Sequence, residues 1–187
     1  MARIRWPWHY KLMTEAAVAL WHDYFITVAQ VSATLAGLLF VGVTISLGHV
    51  LSGSGYMSRA FVALFLQFEM LLIGLFGIVP GQPVWVVGGE FIVTGLAVFG
   101  GTALFVHNFP EHDNAVLGGV GPRAVRGVLA LIGTLFPVSA GVGLIAGWPT
   151  ALYFLIPAQI ACLYLSIGNA WVFAVEIPRR ARQQEPK

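Results

Sequence analysis

The feature that most constrains this chain is a stretch of 35 residues, 24–58, without an Asp, Glu, Lys or Arg. Its first 27 residues, Tyr24–Val50, would extend over roughly 40 Å as an α-helix. The hydrocarbon core of a bilayer is about 30 Å thick, so this segment can cross it with some tilt. The stretch therefore predicts a first membrane-spanning helix.

The composition of the whole chain agrees with this prediction. Only 10% of the 187 residues are charged and 58% are apolar, whereas soluble domains contain about 25% charged residues. The predicted fold class is an all-α integral membrane protein with about five transmembrane helices. Because the basic residues lie at the ends and in loops, we expect no nucleic-acid surface. The single cysteine, Cys162, excludes an internal disulfide and a cysteine-cluster metal site.

The chain divides into an arm, a membrane domain and a tail. Residues 1–23 are rich in Trp and Tyr and predict an interfacial amphipathic helix. Residues 24–177 form a single transmembrane domain, and residues 178–187 form a basic tail. The predicted spans are 24–50, 58–79, 84–106, 125–147 and 150–176.

Two turns share a Gly and Pro pattern that separates adjacent spans. In Gly81-Gln82-Pro83 and in Gly147-Trp148-Pro149, the Gly can end one helix and the Pro can begin the next.

The distribution of basic residues predicts the orientation. Five spans place the termini on opposite sides, and the C-terminal side then holds seven basic residues against three. Since positive charge favours the cytoplasmic side, the N-terminus is predicted outside and the C-terminus inside a bacterial cytoplasmic membrane. The seven residues are Arg59, Arg123, Arg126, Arg179, Arg180, Arg182 and Lys187; the three are Arg3, Arg5 and Lys11.

The first span carries a polar and small-residue face. Steps of three and four residues place these side chains on one side of a helix. Such a face gains nothing from lipid, because hydrogen-bonding groups are costly in an apolar solvent. We expect it to meet protein or water. Its members are Thr27, Gln30, Thr34, Gly37, Val41, Thr44 and Gly48.

The fifth span repeats this spacing. Two faces of this kind could pack against each other or jointly line a pore, and ordinary helix packing is the favoured interpretation. The members of the fifth-span face are Gln159, Cys162, Ser166, Asn169, Phe173 and Glu176.

Two carboxylates lie within predicted spans. Glu69 is midway along the second span and Glu90 is in the first third of the third. An acid buried without a basic partner favours its neutral form and is a candidate functional group. The alternative is a pair of protonated carboxyls that hold helices together. The two lie at different depths, so we do not expect them to bridge one ion.

His49 and His107 close the first and third spans near the same membrane face. Two such side chains could supply axial ligands to a haem or a pigment. Interfacial histidines are common without a cofactor, and we expect neither a cofactor nor a metal. The sequence also lacks the hydrolase, metalloprotease and nucleotide-binding motifs, and therefore predicts no enzyme.

Two motifs carry a resemblance to a known group. Ala33-Thr34-Leu35-Ala36-Gly37-Leu38-Leu39-Phe40-Val41 and Val79-Pro80-Gly81-Gln82 resemble segments of small bacterial membrane proteins. Many of those proteins are labelled automatically as modulators of the FtsH protease. The resemblance covers residues 22–100 and implies a polytopic membrane protein, but it assigns no functional residue.

These observations predict a non-enzymatic membrane subunit that acts by lateral helix packing. Its partners would be lipid and either copies of itself or other membrane-protein subunits. The alternatives are a small oligomeric ion channel or proton or cation conductor, and a haem- or pigment-associated subunit.

Overall fold

The computed structural model describes residues 16–48, 54–106 and 123–179. Within these ranges, five helical segments are long and apolar enough to cross a membrane, and the predicted all-α polytopic membrane fold is confirmed. A 3₁₀ turn precedes the last helix and a π-helical turn follows it, at Pro149–Phe154 and Val172–Glu176. The helices are α1 (His22–Ile45), α2 (Ser54–Gly77), α3 (Val84–Val106), α4 (Arg123–Ile145) and α5 (Leu155–Trp171).

At the second turn Gly147 ends α4 and Pro149 begins the next helical turn, as predicted, but at the first turn α2 already ends at Gly77 and Gly81 lies in the loop before α3. Gly81 and Gly147 adopt positive φ angles of 71° and 79°, which glycine tolerates without strain. After α4, the Gly147 and Trp148 amides donate to carbonyls of the last helical turn, a Schellman arrangement. We call this end of the bundle, with residues 78–83 and 146–148, the turn end. The opposite end, where α1 and α5 finish, is the tail end.

Glycines allow the helices to approach closely. A Cβ atom on Gly74 of α2 would lie 2.8 Å from the Phe25 carbonyl oxygen and the Ala29 nitrogen of α1. Between α3 and α4, a Cβ on Gly88 would lie 2.7 Å from the Gly141 oxygen, and a Cβ on Gly141 would collide with the Gly88 oxygen. Small residues at such crossings provide the van der Waals contact that holds membrane helices together.

Large apolar side chains fill the half of the bundle nearest the turn end. They come from every helix and are fully or almost fully buried. At the rim, Trp21 packs edge-to-face on Tyr24 and Tyr153, with ring centroids 5.0 and 5.1 Å apart. Aromatic side chains of this kind favour the headgroup level of a membrane. The apolar set includes Phe25, Met70, Ile73, Phe91, Leu152 and Leu155.

The described end of the N-terminal arm is a short helical stretch that a turn at Trp21 separates from α1. Residues 16–20 are helical, and Ala17, Val18 and Trp21 pack against the core. The other residues of the predicted interfacial helix, 1–15, lie outside the described residues, as do His49, His107 and residues 180–187 of the basic tail.

Candidate functional site

The polar face of α5 lies inside the bundle and bonds to α2. The Gln67 amide nitrogen donates to the Ser166 hydroxyl and, at 3.2 Å, to the Cys162 carbonyl. Nearer the tail end, the Arg59 guanidinium donates to the Asn169 side-chain oxygen at 3.2 Å. We call these four polar side chains, Arg59, Gln67, Ser166 and Asn169, the polar seam. Gln159 is also buried, on the turn-end side of Cys162.

Arg59 corrects one assignment made from the sequence. The orientation prediction counted it among the basic residues on the cytoplasmic side, but it lies within α2 and is only 2% exposed. A guanidinium retains its charge when buried and therefore needs acceptors. Sequence reasoning also missed Gln67 as a partner of α5. The sequence did contain a signal for this pairing. Arg59 precedes Gln67 along α2, whereas its partner Asn169 follows Ser166 along α5, which is the order that antiparallel helices require.

The polar face of α1 lies on the outside of the bundle. Successive α-helical residues are about 100° apart, which puts this face opposite the one that α1 buries. The face does not meet α5, so the expected pairing of the two faces is wrong. We call the following exposed residues the outer face of α1: Thr27, Gln30, Thr34, Gly37, Val41, Thr44 and Gly48. The buried residues are Phe25, Val28, Ala29, Ser32, Leu39 and Gly42.

Instead, α1 contacts α5 through its buried side, which we call the inner face of α1. A Cβ on Gly42 would lie 3.3 Å from the Phe173 Cβ and 3.5 Å from the Ala170 oxygen. The Ser46 hydroxyl donates to the Phe173 carbonyl at 2.5 Å. The inner face therefore combines large apolar side chains with a glycine that permits close approach.

The threonines of the outer face tolerate exposure to lipid because their hydroxyls are bonded within the helix. The hydroxyls of Thr27, Thr34 and Thr44 each donate at 2.8 Å to the carbonyl four residues earlier. A self-bonded hydroxyl loses little in lipid. Gln30 differs, because its amide is exposed and has no hydrogen-bond partner among the described residues.

Glu69 is the most isolated polar group of the interior. Its side chain is fully buried, and neither carboxyl oxygen has a hydrogen-bond partner in the part of the chain that the structure describes. A Cβ on Gly95 of α3 would lie 3.3 Å from one carboxyl oxygen and 2.9 Å from the Thr134 carbonyl of α4. The carboxyl therefore reaches across to α3 and α4 and is not on the lipid surface.

The second acid, Glu90, is only partly buried. One of its oxygens is inaccessible and, within the described residues, has no partner. No described contact brings Glu69 and Glu90 together, in line with their different depths. The candidate histidine ligands, His49 and His107, lie outside the described residues.

The sequence and the fold were compared with protein families, curated proteins and solved structures, and no match was found. The polar seam, Glu69 and the outer face of α1 are the candidate functional features of the described residues.

Proposed function

We propose that the chain is a non-enzymatic membrane subunit that acts by lateral helix packing, with the outer face of α1 as its docking surface. The observation that carries this proposal is the exposure of Gln30 at the centre of that face. A primary amide has two donors and an acceptor that its own helix does not satisfy. In lipid such a group favours a partner helix, whereas the neighbouring threonines do not need one.

The chemistry of the outer face favours a second copy of the same chain. An amide both donates and accepts, so two Gln30 side chains related by a two-fold axis can bond reciprocally. Ala33 and Gly37 are both exposed and four residues apart, the small-xxx-small spacing that allows helix backbones to approach. Self-association would still leave other faces of the bundle for a larger complex, such as the membrane protease that the sequence resemblance suggests.

Cysteine cross-linking in native membranes tests this proposal. Cys162 is fully buried and is replaced by Ala, and a single cysteine is then placed at Thr34 on the outer face. The matched control is Ile160→Cys, which lies on the exposed side of α5 near the middle of its span. We expect oxidation to give a covalent dimer for Thr34→Cys only.

Two results would contradict the docking role of α1. One is cross-linking at Ile160 as strong as that at Thr34, which would indicate random collision. The other is a monomer in native lipid whose Thr34→Cys thiol reacts with a lipid-soluble maleimide as fast as the Ile160→Cys thiol. Cross-linking of Thr34→Cys to a different protein would assign the face to a larger complex.

The conductor and the haem subunit remain alternative predictions. A pore lined by α1 would require several copies with their outer faces around one axis, and it would be neutral, since the face carries no charge. Because one cysteine per chain forms at most one disulfide, the mass of the complex in native lipid, measured beside the cross-link, distinguishes a pair from a ring.

A further inference from the structure

Glu90 is a partly exposed carboxyl within a membrane span, and the described residues leave it without a partner. One of its oxygens is inaccessible, and neither oxygen is hydrogen-bonded in the part of the chain that the structure describes. A carboxyl inside a membrane usually pairs with another polar group. Its partner must therefore come from outside the described bundle.

The position of Glu90 along α3 places it in the hydrocarbon region. Trp85, at the start of α3, is 64% exposed, and exposed tryptophans favour the headgroup level. Glu90 is five positions further along the helix, or about 7.5 Å deeper. Half of a hydrocarbon core measures about 15 Å, so the carboxyl lies roughly midway between the headgroups and the bilayer centre. The bilayer core has no water to bond it, so the required partner is a protein group.

The described part of the chain has no Lys or Arg near this depth. Its carboxylic acids nearer the turn end are Asp23, Glu69 and Glu90, whereas its arginines lie nearer the tail end. A second copy packed in parallel through the same face would bring another Glu90 to this level, where like charges repel. The complementary partner is therefore a different helix that carries a Lys or Arg. The described arginines are Arg59, Arg123, Arg126 and Arg179.

The exposed side of α3 next to Glu90 permits a close helix contact. Steps of three and four residues place Gly89, Val93, Ala97 and Gly100 on one side of the helix, and Glu90 borders it. We call these four residues the outer face of α3. A Cβ atom on Gly89 or on Gly100 would meet nothing within 4 Å, and Val93 is 68% exposed. Small residues of this kind let the backbone of a second membrane helix approach.

We propose that the outer face of α3 binds a transmembrane helix of a different membrane protein, with a Lys or Arg of that helix paired to Glu90. The small residues admit the backbone of the partner helix, and the carboxylate selects that helix by charge. This inference deepens the proposed function, because both rest on lateral helix packing. It concerns another face and another partner, so either can hold without the other.

Energy transfer in liposomes tests this pairing. The tryptophans of the full-length protein are the donors, and a synthetic tryptophan-free Leu/Ala helix carries a dansyl acceptor. Three such peptides differ only at a position a quarter of the way along, which is Lys, Gln or Leu. We expect the Lys peptide to bind about tenfold more tightly than either of the others, because a charge-assisted bond is stronger than a neutral one and is little screened in hydrocarbon.

Variants of the protein assign the effect to Glu90 and to the outer face of α3. Glu90→Gln should remove the preference for the Lys peptide, whereas Glu69→Gln, the same change at a buried carboxyl, should keep it. Gly100→Leu should weaken the binding of all three peptides. Gly127→Leu, at another open position on α4, should not. Each variant should keep the unfolding midpoint of the wild-type protein in mild detergent.

Equal affinity for the Lys and Leu peptides would overturn the pairing, as would a Lys preference that survives Glu90→Gln. A Gln peptide that binds as tightly as the Lys peptide would mean that the carboxyl is neutral and does not select by charge. The Thr34→Cys cross-link separates this inference from the role of α1. A dimer without Lys-peptide binding would refute the α3 partner alone, and Lys-peptide binding without a dimer would refute self-association alone.

Discussion

The first and fifth membrane helices carry polar and small residues at the same spacing, yet one set lies outside the bundle and the other inside. On α5 the set is made of Gln, Ser and Asn, which bond to side chains of α2. On α1 most of the polar members are threonines, which bond to their own helix. Residue type, more than spacing, therefore decides whether a polar face needs a neighbouring helix.

Two glycines of α1, one on each face, allow the buried and exposed sides to be compared within one helix. Gly42 faces Phe173 and the Ala170 carbonyl, whereas a Cβ on Gly37 would meet nothing within 4 Å. We expect Gly42→Leu to destabilise the folded chain by about 3 kcal/mol or more, since the Ala170 backbone cannot move aside easily. Gly37→Leu should leave the unfolding midpoint of the monomer unchanged. Thermal unfolding in mild detergent measures both.

If Gly37→Leu destabilised the monomer as much as Gly42→Leu, the assignment of inner and outer faces would be incorrect. In native membranes we expect Gly37→Leu to weaken self-association more than Gly42→Leu does, because Gly37→Leu places a side chain on the proposed docking surface.

The next largest loss of stability is expected when the buried Arg59 guanidinium loses an acceptor. Asn169→Leu removes an acceptor from Arg59, and hydrogen bonds to charged groups contribute about 1.5–3 kcal/mol. The counterpart on the outer face, Gln30→Leu, should not lower monomer stability, because that amide has no partner among the described residues. Unfolding in SDS titrations compares the two. A loss for Gln30→Leu equal to that for Asn169→Leu would remove the distinction between the faces.

A smaller change is expected for the seam hydroxyl. Ser166→Ala leaves the Gln67 amide with the Cys162 carbonyl as its remaining acceptor, and interhelical hydrogen bonds in membranes average about 0.6 kcal/mol. The same detergent unfolding assay should therefore show a slight decrease in midpoint. No decrease at all would indicate that Gln67 finds a replacement partner.

The smallest effect is expected for the self-bonded threonines. Thr34→Val removes a hydroxyl whose only described bond is to the Gln30 carbonyl of the same helix. Stability of the monomer should stay within about 0.5 kcal/mol, the range of ordinary surface changes. A larger loss would mean that the hydroxyl contributes to the bundle in a way that its local bond does not explain.

Sequence patterns predicted the helices well for simple physical reasons. A membrane span needs about twenty apolar residues, and few arrangements of this chain satisfy that length. Gly147 and Pro149 marked a turn because one tolerates positive φ and the other needs no amide donor. Hydropathy and turn chemistry are local, so they can be obtained without the tertiary structure.

The neighbours of each face could not be predicted in the same way. Spacing of three and four defines a side of a helix but not what lies against it, and so the outer face of α1 was paired with α5 in error. Glu69 was expected in the second span, but its contact with α3 depends on Gly95, whose missing side chain gives no sequence signal of its own. The FtsH-modulator resemblance stays a prediction.

The glycine contacts between α3 and α4 have a consequence for what can reach Glu69. Beside the carboxyl, the Gly95 backbone lies so near the Thr134 carbonyl that a single added carbon would sit 2.9 Å from it. The Cγ2 atom of Val138 would lie nearer still, at 2.6 Å, so the Thr134 carbonyl and the Val138 side chain together leave little space beside Gly95. A hydrated sodium or calcium ion would have to separate two helices to enter, whereas a proton requires no additional volume.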